Sequence, residues 1–263
     1  MKIGVIGCGA MGSAIVKGMI SSHAISSENI MVKGKDFSQT GELKNIWKVN
    51  ETYELKEIVE FSDYVIIAVK PKDYKNILEQ MSCFEKKPII VSIAAGYEID
   101  RILSEVKDKN RKVIRTMPNT PAQILKGVVG ICSKNVNSEE LQKIKDIFSV
   151  FAKVVEIEEE QMHIFSAISG SMPAFVDIFI EAASEIAVKH GMNREKAYEI
   201  ISYAISGSAE MVGVTKKHPA KLKDDVTSPS GTTIEGVIAL EKNGFRYAII
   251  DALDKTFEKS KNM

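Results

Sequence analysis

The sequence predicts an α/β fold in two parts, with an N-terminal doubly wound, Rossmann-type parallel sheet over residues 1–160 and a C-terminal all-α domain over residues 161–263. Three observations lead there. The chain opens on a strand, a glycine turn and a helix. Near-continuous apolar runs then alternate with polar helical segments, the pattern of a parallel sheet covered on both faces. From about Gln161 the alternation stops and helical periodicity replaces it.

Lys2-Ile3-Gly4-Val5-Ile6 reads as the first buried strand, and Ser13 to Ile20 as the helix after the turn. Asn29-Ile30-Met31-Val32 is the second strand. Asp63 to Val69 is the third, ended by Lys70-Pro71, and Pro88 to Ile93 is the fourth, running into Ala94-Ala95-Gly96. Lys112 to Met117 is the fifth, stopped by Pro118, and Val128 to Cys132 and Val154 to Ile157 are two more. Helical segments such as Tyr74 to Cys83, Ile99 to Lys107 and Ser138 to Ala152 separate them. In the second part, Phe175, Ile178, Phe179, Ala182 and Ile186 recur at helical spacing, with Asp177, Glu181 and Lys189 on the other side. Pro173 suits the first turn of that helix and Gly191 its end. Arg194 to Val212, Thr232 to Leu240 and Arg246 to Lys259 are further helices. Their long apolar faces predict a dimerisation domain, completed by a second copy of the chain.

Composition excludes several classes. Thirty-five basic residues balance 35 acidic ones, so no global field recruits nucleic acid or an anionic membrane. The three cysteines, Cys8, Cys83 and Cys132, are far apart and form no CxxC pair, which predicts neither a disulfide framework nor a metal site. The first residues do not read as a signal peptide, and no apolar run reaches the roughly 18 residues that span a membrane. A cytoplasmic protein is expected.

Gly7-Cys8-Gly9-Ala10-Met11-Gly12 is the GxGxxG spacing of a dinucleotide site in the right context. Gly7 allows the tight turn, Gly9 lets the backbone approach a pyrophosphate, and Gly12 lets the helix pack close to the strand. Free N–H groups and the helix dipole then favour the phosphates. NAD-preferring sites place an acid at the end of the second strand. Here that place reads Val32-Lys33-Gly34-Lys35-Asp36. Lys33 and Lys35 suit the 2′-phosphate of NADPH, Ser38 adds a hydroxyl, and Asp36 keeps NADH open. Val69-Lys70-Pro71 and Ala94-Ala95-Gly96 follow strands whose carboxyl ends face the coenzyme crevice.

Two further stretches point to a substrate. In Met117-Pro118-Asn119-Thr120-Pro121-Ala122 two prolines stiffen a turn that offers the amide of Asn119 and the hydroxyl of Thr120. In Thr227-Ser228-Pro229-Ser230-Gly231-Thr232-Thr233 a glycine-containing loop opens a helix, and its N–H groups with the hydroxyls of Ser230, Thr232 and Thr233 make a small anion site fit for a carboxylate. Taken alone, plain N-capping explains that loop better.

With these residues in view, the chain resembles the pyrroline-5-carboxylate reductase family over essentially its whole length. The resemblance is carried by Gly7 to Gly12, Val69-Lys70-Pro71, Ser92 to Gly96, Met117 to Ala122, and the segment from His218 to Asp251 with Gly244-Phe245-Arg246. It implies NAD(P)H in the N-terminal domain and an intertwined helical dimer, in some members assembled into a decamer. It implies a substrate carboxylate held by backbone amides and a threonine hydroxyl in the loop matching Ser228 to Thr233, and the last step of proline biosynthesis. Met172, Phe175 and Ser230 stand where the family usually has glycine, tyrosine and glycine.

The implied reaction moves a hydride from the nicotinamide to C5 of a cyclic imine. A protonated imine needs little acid catalysis, which fits a chain without an evident His–Asp or Cys–His pairing. Thr233 is the candidate for direct contact with the substrate carboxylate or its ring nitrogen. His218, beside Pro219, is expected to end a helix or pack locally. Two alternatives are a 3-hydroxyacid dehydrogenase, whose helix lysine has no counterpart in Gly170 to Asp177, and a coenzyme-binding regulator that lost turnover.

Overall fold

The strands of the structure, a computed structural model that describes residues 1–35 and 37–262, are β1 (Ile3–Ile6), β2 (Ile30–Lys33), β3 (Asn50–Thr52), β4 (Tyr64–Ile67), β5 (Ile89–Ser92), β6 (Val113–Pro118), β7 (Gly127–Lys134) and β8 (Ala152–Glu156). They form one sheet in the order β3-β2-β1-β4-β5-β6-β7-β8. β1, β4 and β5 are buried at every position, which is why their sequences are continuous apolar runs rather than alternating ones. The chain runs outward from β1 through β2 to β3. It then returns to place β4 on the other side of β1, so the order reverses between β1 and β4.

The crossover helices are α1 (Ala10–Ser21), α2 (Phe37–Asn45), α3 (Leu55–Phe61), α4 (Pro71–Ser82), α5 (Ile99–Glu105) and α6 (Ser138–Ser149). They cover the two faces in separate cores. Ile15, Val16 and Met19 of α1 and Ile147 and Phe148 of α6 pack with Val5, Val32 and Val91. Ile58 of α3, Leu78 of α4 and Ile102 of α5 pack with Ile6, Ile67 and Ile90. Successive side chains of a strand point to opposite faces, so adjacent residues Val5 and Ile6 supply different cores. Each fully buried Val, Leu or Ile contributes about 1.5–3 kcal/mol.

Two features of the sheet differ from the expectation. β7 runs antiparallel to β6, with Val113 opposite Lys134, although its apolar sequence reads like the others. Residues 119–126 hold only the short 3₁₀ segment Thr120–Ile124, and a parallel return requires about a dozen residues or more. β3 was not foreseen, because Asn-Glu-Thr at a sheet edge has no hydrophobic signature.

The remaining helices are α7 (Met162–Phe165), followed by a π-turn at Ser166–Gly170, then α8 (Met172–Lys189), α9 (Arg194–Thr215), α10 (Pro219–Asp225), α11 (Thr232–Lys242) and α12 (Phe245–Lys261). The chain divides into two compact units: Met1–Gly170 with the residues from Phe257 onward, and Ser171–Thr256. In the second unit Pro173 sits in the first turn of α8 and Gly191 just past its end, with φ +90°. His218 starts a helix rather than ending one, since its Nδ1 caps α10 by accepting from the Ala220 N–H at 3.2 Å. Apolar side chains of this unit face outward: Ile178 is 63% exposed, Tyr203 76%, Val214 71% and Tyr247 72%. Contrary to the sequence expectation, the helical run 159–189 is long and apolar enough, by length and composition, to cross a membrane.

Candidate functional site

The site is built around the end of β1. Gly7 has φ +99°, and its N–H donates to the Lys33 carbonyl at 2.8 Å, which ties the glycine turn to β2. A Cβ on Gly7 would lie 2.7 Å from the Ala68 carbonyl carbon and oxygen, and one on Gly12 would lie 2.0 Å from the Gly7 oxygen. The end of β1, the start of α1 and the end of β4 therefore meet at backbone contact, where only glycine fits. Gly9 is different. Nothing lies within 4 Å of a Cβ built there, and the residue is exposed. It is the N-cap of α1, with no side-chain cap and no acid in the first turn. The free N–H groups of α1 thus open onto clear space at the point where the strand order reverses, an arrangement that fits a pyrophosphate. Beside it Ala10 is exposed and Met11 half-buried, while the Cys8 thiol is buried and pushed up to about 12, chiefly by that burial.

A cleft of about 560 Å³ extends from this turn along the carboxyl ends of β1, β2 and β4. Gly7, Gly9, Lys33, Lys35, Val69 and Lys70 line it, so six of the expected residues converge there. Pro71 is the first residue of α4, and Lys70 its N-cap. Lys33, Lys35, Lys70 and Lys72 outnumber the acids Glu54 and Asp73 on the walls, of which Asp73 lies 4.0 Å from Lys35. The excess of cations suits a ligand carrying several phosphate charges. Asp36 lies outside the described residues, as does the side chain of Ser38.

Sequence reasoning missed Lys72, Tyr53, Ile77 and Gln80 on the same walls. The only sequence signal for Lys72, Ile77 and Gln80 is the position of α4 directly after Lys70-Pro71, and Tyr53, just past the polar edge strand β3, has none. It also missed Glu51 on β3, whose side chain is 4% exposed. The carboxylate accepts from Lys44 Nζ at 2.7 Å, Tyr53 OH at 2.6 Å and Thr40 Oγ1. Burial opposes its charge, yet the bonds from Lys44, Thr40 and Tyr53 outweigh it and hold the carboxyl at about 2.

The other expected residues are placed elsewhere. Ala94, Ala95 and Gly96 border a separate small cavity with Arg115, Met117 and His163. Arg115 there is 3% exposed and pairs with Glu159 at 2.8 Å, and His163 Nδ1 lies 3.1 Å from Ser260 Oγ. The Asn119 side chain is engaged by the fold, donating to the Ser169 carbonyl at 3.1 Å and accepting from the Val128 N–H at 2.9 Å. In the second unit, Gly231 is the N-cap of α11 without a side-chain cap, and Thr232 and Thr233 are exposed in its first turn. Among the described residues, no hydroxyl of Ser228, Ser230, Thr232 or Thr233 bonds within the chain, so the N-capping explanation of this loop fails. A Cβ at Gly231 would meet Ser228 Oγ at 2.5 Å. Ser230 has φ +60°, the left-handed region in which a side chain is strained.

The sheet, the glycine turn at its switch point and the lysine-rimmed cleft define a dinucleotide-binding protein of the Rossmann class. Residues 2–96 match a family model described as NADP oxidoreductase, coenzyme F420-dependent, and residues 159–263 match one described as pyrroline-5-carboxylate reductase dimerisation. The chain is 39% identical to the pyrroline-5-carboxylate reductase of Escherichia coli over 100% of its own length and 98% of that protein. To the Arabidopsis thaliana enzyme it is 34% identical, over 100% and 95%. The crystal structure of the Plasmodium falciparum pyrroline carboxylate reductase with NADP bound superposes with a TM-score of 0.89 at 34% identity, covering 100% of this chain and 97% of that one. The chain belongs to the pyrroline-5-carboxylate reductase family.

The two crowding distances separate fold from binding. Gly12→Ala must displace backbone and destabilises by about 1–3 kcal/mol, read by urea unfolding. Gly9→Ala costs less than about 1 kcal/mol of stability but weakens NADPH binding at least about tenfold, since its methyl fills the space over α1. Equal loss of stability in both would refute this division. Ser230→Gly relieves the left-handed strain and stabilises by about 0.5–1 kcal/mol after the entropy of the unfolded glycine is counted. Unfolding at fixed protein concentration checks it.

Proposed function

We propose that the chain reduces 1-pyrroline-5-carboxylate to L-proline, the last step of proline biosynthesis, with NADPH as the preferred hydride donor and NADH as the alternative. The uncapped start of α1 beneath clear space, rimmed by four lysines, carries the coenzyme reading. Family membership over the full length carries the substrate.

In this reading Gly7 to Gly12 hold the pyrophosphate through backbone N–H groups, and Lys33 and Lys35 hold the 2′-phosphate. Val69, Lys70 and Pro71 border the ribose, while Ala94, Ala95, Gly96 and Asn119 shape the nicotinamide end through backbone and turn geometry. Ser228, Ser230, Gly231 and Thr232 grip the substrate carboxylate with amides and hydroxyls, and Thr233 contacts the carboxylate or the ring nitrogen. Bound there, the coenzyme supplies a hydride to the imine carbon. The imine arrives from water already protonated, so the chain contributes positioning and exclusion of water rather than a proton. The buried thiols of Cys8 and Cys132 are both pushed up to about 12, chiefly by burial, and do not serve as nucleophiles.

Residues 1–160 are assigned to the coenzyme and 161–263 to dimerisation and substrate. The exposed apolar faces of α8, α9 and α12 support a homodimer, with further assembly open, because monomers rarely leave such surface in water. The same pairing explains the apolar run 159–189, which lies within the matched dimerisation segment. Free, dispersed cysteines support a cytoplasmic location.

Three measurements test this. NADPH oxidation should follow addition of pyrroline-5-carboxylate, with kcat/KM above that for NADH. Turnover of 3-hydroxyacids instead, or none, would overturn the reading. Thr233→Ala should raise KM for the imine by roughly 1–3 kcal/mol, about 5- to 150-fold, and an unchanged KM removes Thr233 from the site. Sedimentation at micromolar concentration should give at least twice the 29.0 kDa chain mass.

A further inference from the structure

Glu51 does not line the cleft, yet it joins β3 and α2 to Tyr53, which does. It lies on β3 in register with Val32 of β2 and so faces the same side of the sheet, toward α2. There it meets Lys44 and Thr40, one turn apart on α2. Two residues on, at the carboxyl end of β3, Tyr53 turns its hydroxyl back onto the same carboxylate at 2.6 Å while its ring borders the cleft. Lys33 and Lys35 occupy the neighbouring end of β2, just before α2 begins.

We infer that Glu51 is a positioning residue for coenzyme selection: its carboxylate ties α2 and Tyr53 to β3 and thereby fixes the segment that presents Lys33 and Lys35 to a 2′-phosphate. This rests on the coenzyme reading above. A phosphate held by two lysines requires those side chains to be placed within about half an ångström, whereas a bare 2′-hydroxyl makes none of these ionic contacts. Loosening α2 therefore penalises the phosphorylated ligand selectively. The opposing effect, removal of a negative charge near a phosphate, is small. Glu51 is already neutralised by Lys44 at 2.7 Å, and what remains is screened over about 8 Å at physiological salt.

The test is calorimetric titration of the whole protein with 2′-phospho-ADP-ribose and with ADP-ribose, beside KM and kcat for NADPH and NADH. Glu51→Gln should raise Kd for the 2′-phosphorylated ligand about tenfold and leave ADP-ribose within about twofold, with KM for NADPH rising and kcat unchanged. Lys44→Met cuts the clamp from its far end, at a residue outside the cleft walls, and should give the same selective loss. Unfolding midpoints for both variants identify any that fail to fold, and either one that folds decides the matter. Equal weakening of both ligands, no change, or tighter binding of the phosphorylated one would overturn the inference. If the unaltered protein binds neither ligand, the coenzyme reading itself falls, and this inference with it.

Discussion

The structure depends on one steric constraint, the backbone contact where β1 ends, α1 begins and β4 ends. Gly12 lies against the Gly7 carbonyl and Gly7 against Ala68, at separations that admit no side chain. That contact brings the first turn of α1 flush with the strand ends, so its unpaired N–H groups open into the crevice instead of being buried. It also fixes the place where strand order reverses, since β1 and β4 are the neighbours on either side of the reversal. Binding geometry and fold geometry are the same set of contacts here, except at Gly9, which the fold leaves open.

The two units meet different demands. The sheet unit has two separate apolar cores and buries its strands completely. The helical unit has almost no buried apolar side chain of its own, and its largest residues face water. A surface of that kind is stable only when covered, which is why the dimer proposal follows from energetics as well as from kinship. The loop at the start of α11, proposed above to hold the substrate, belongs to this unit. Its exposed hydroxyls do not cap the chain's own helix, and Ser230 is held in the left-handed region.

The chemistry asks little of ionisable side chains. In the proposed reaction an imine that arrives protonated has its electrophile prepared by water, so positioning and charge complementarity suffice. The ionisable groups around the cleft act accordingly. Lysines line the cleft, and the buried carboxylate of Glu51 faces α2 rather than the cleft.

By itself the sequence determined what is local: the strand, glycine turn and helix of the first twenty residues, the apolar strands, the helical second half, and the motifs that reveal the family. It marked Lys33, Lys35, Val69 and Lys70 for the crevice because strand ends are readable from where apolar runs stop. Tertiary structure alone decided the rest. The reversed direction of β7 followed from a connection too short to cross over, which hydrophobicity does not encode. The polar edge strand β3 exists only through its pairing with β2. Asn119 looked like a ligand group, but the fold engages both ends of its amide, with partners 50 and 9 residues away. Glu51 meets Lys44 and Thr40 only when register sets β3 beside β2 and α2 above them. The physical reason is the same throughout: periodicity records which residues are buried, while which residues meet is set by sheet order and register, and those are properties of the assembled chain.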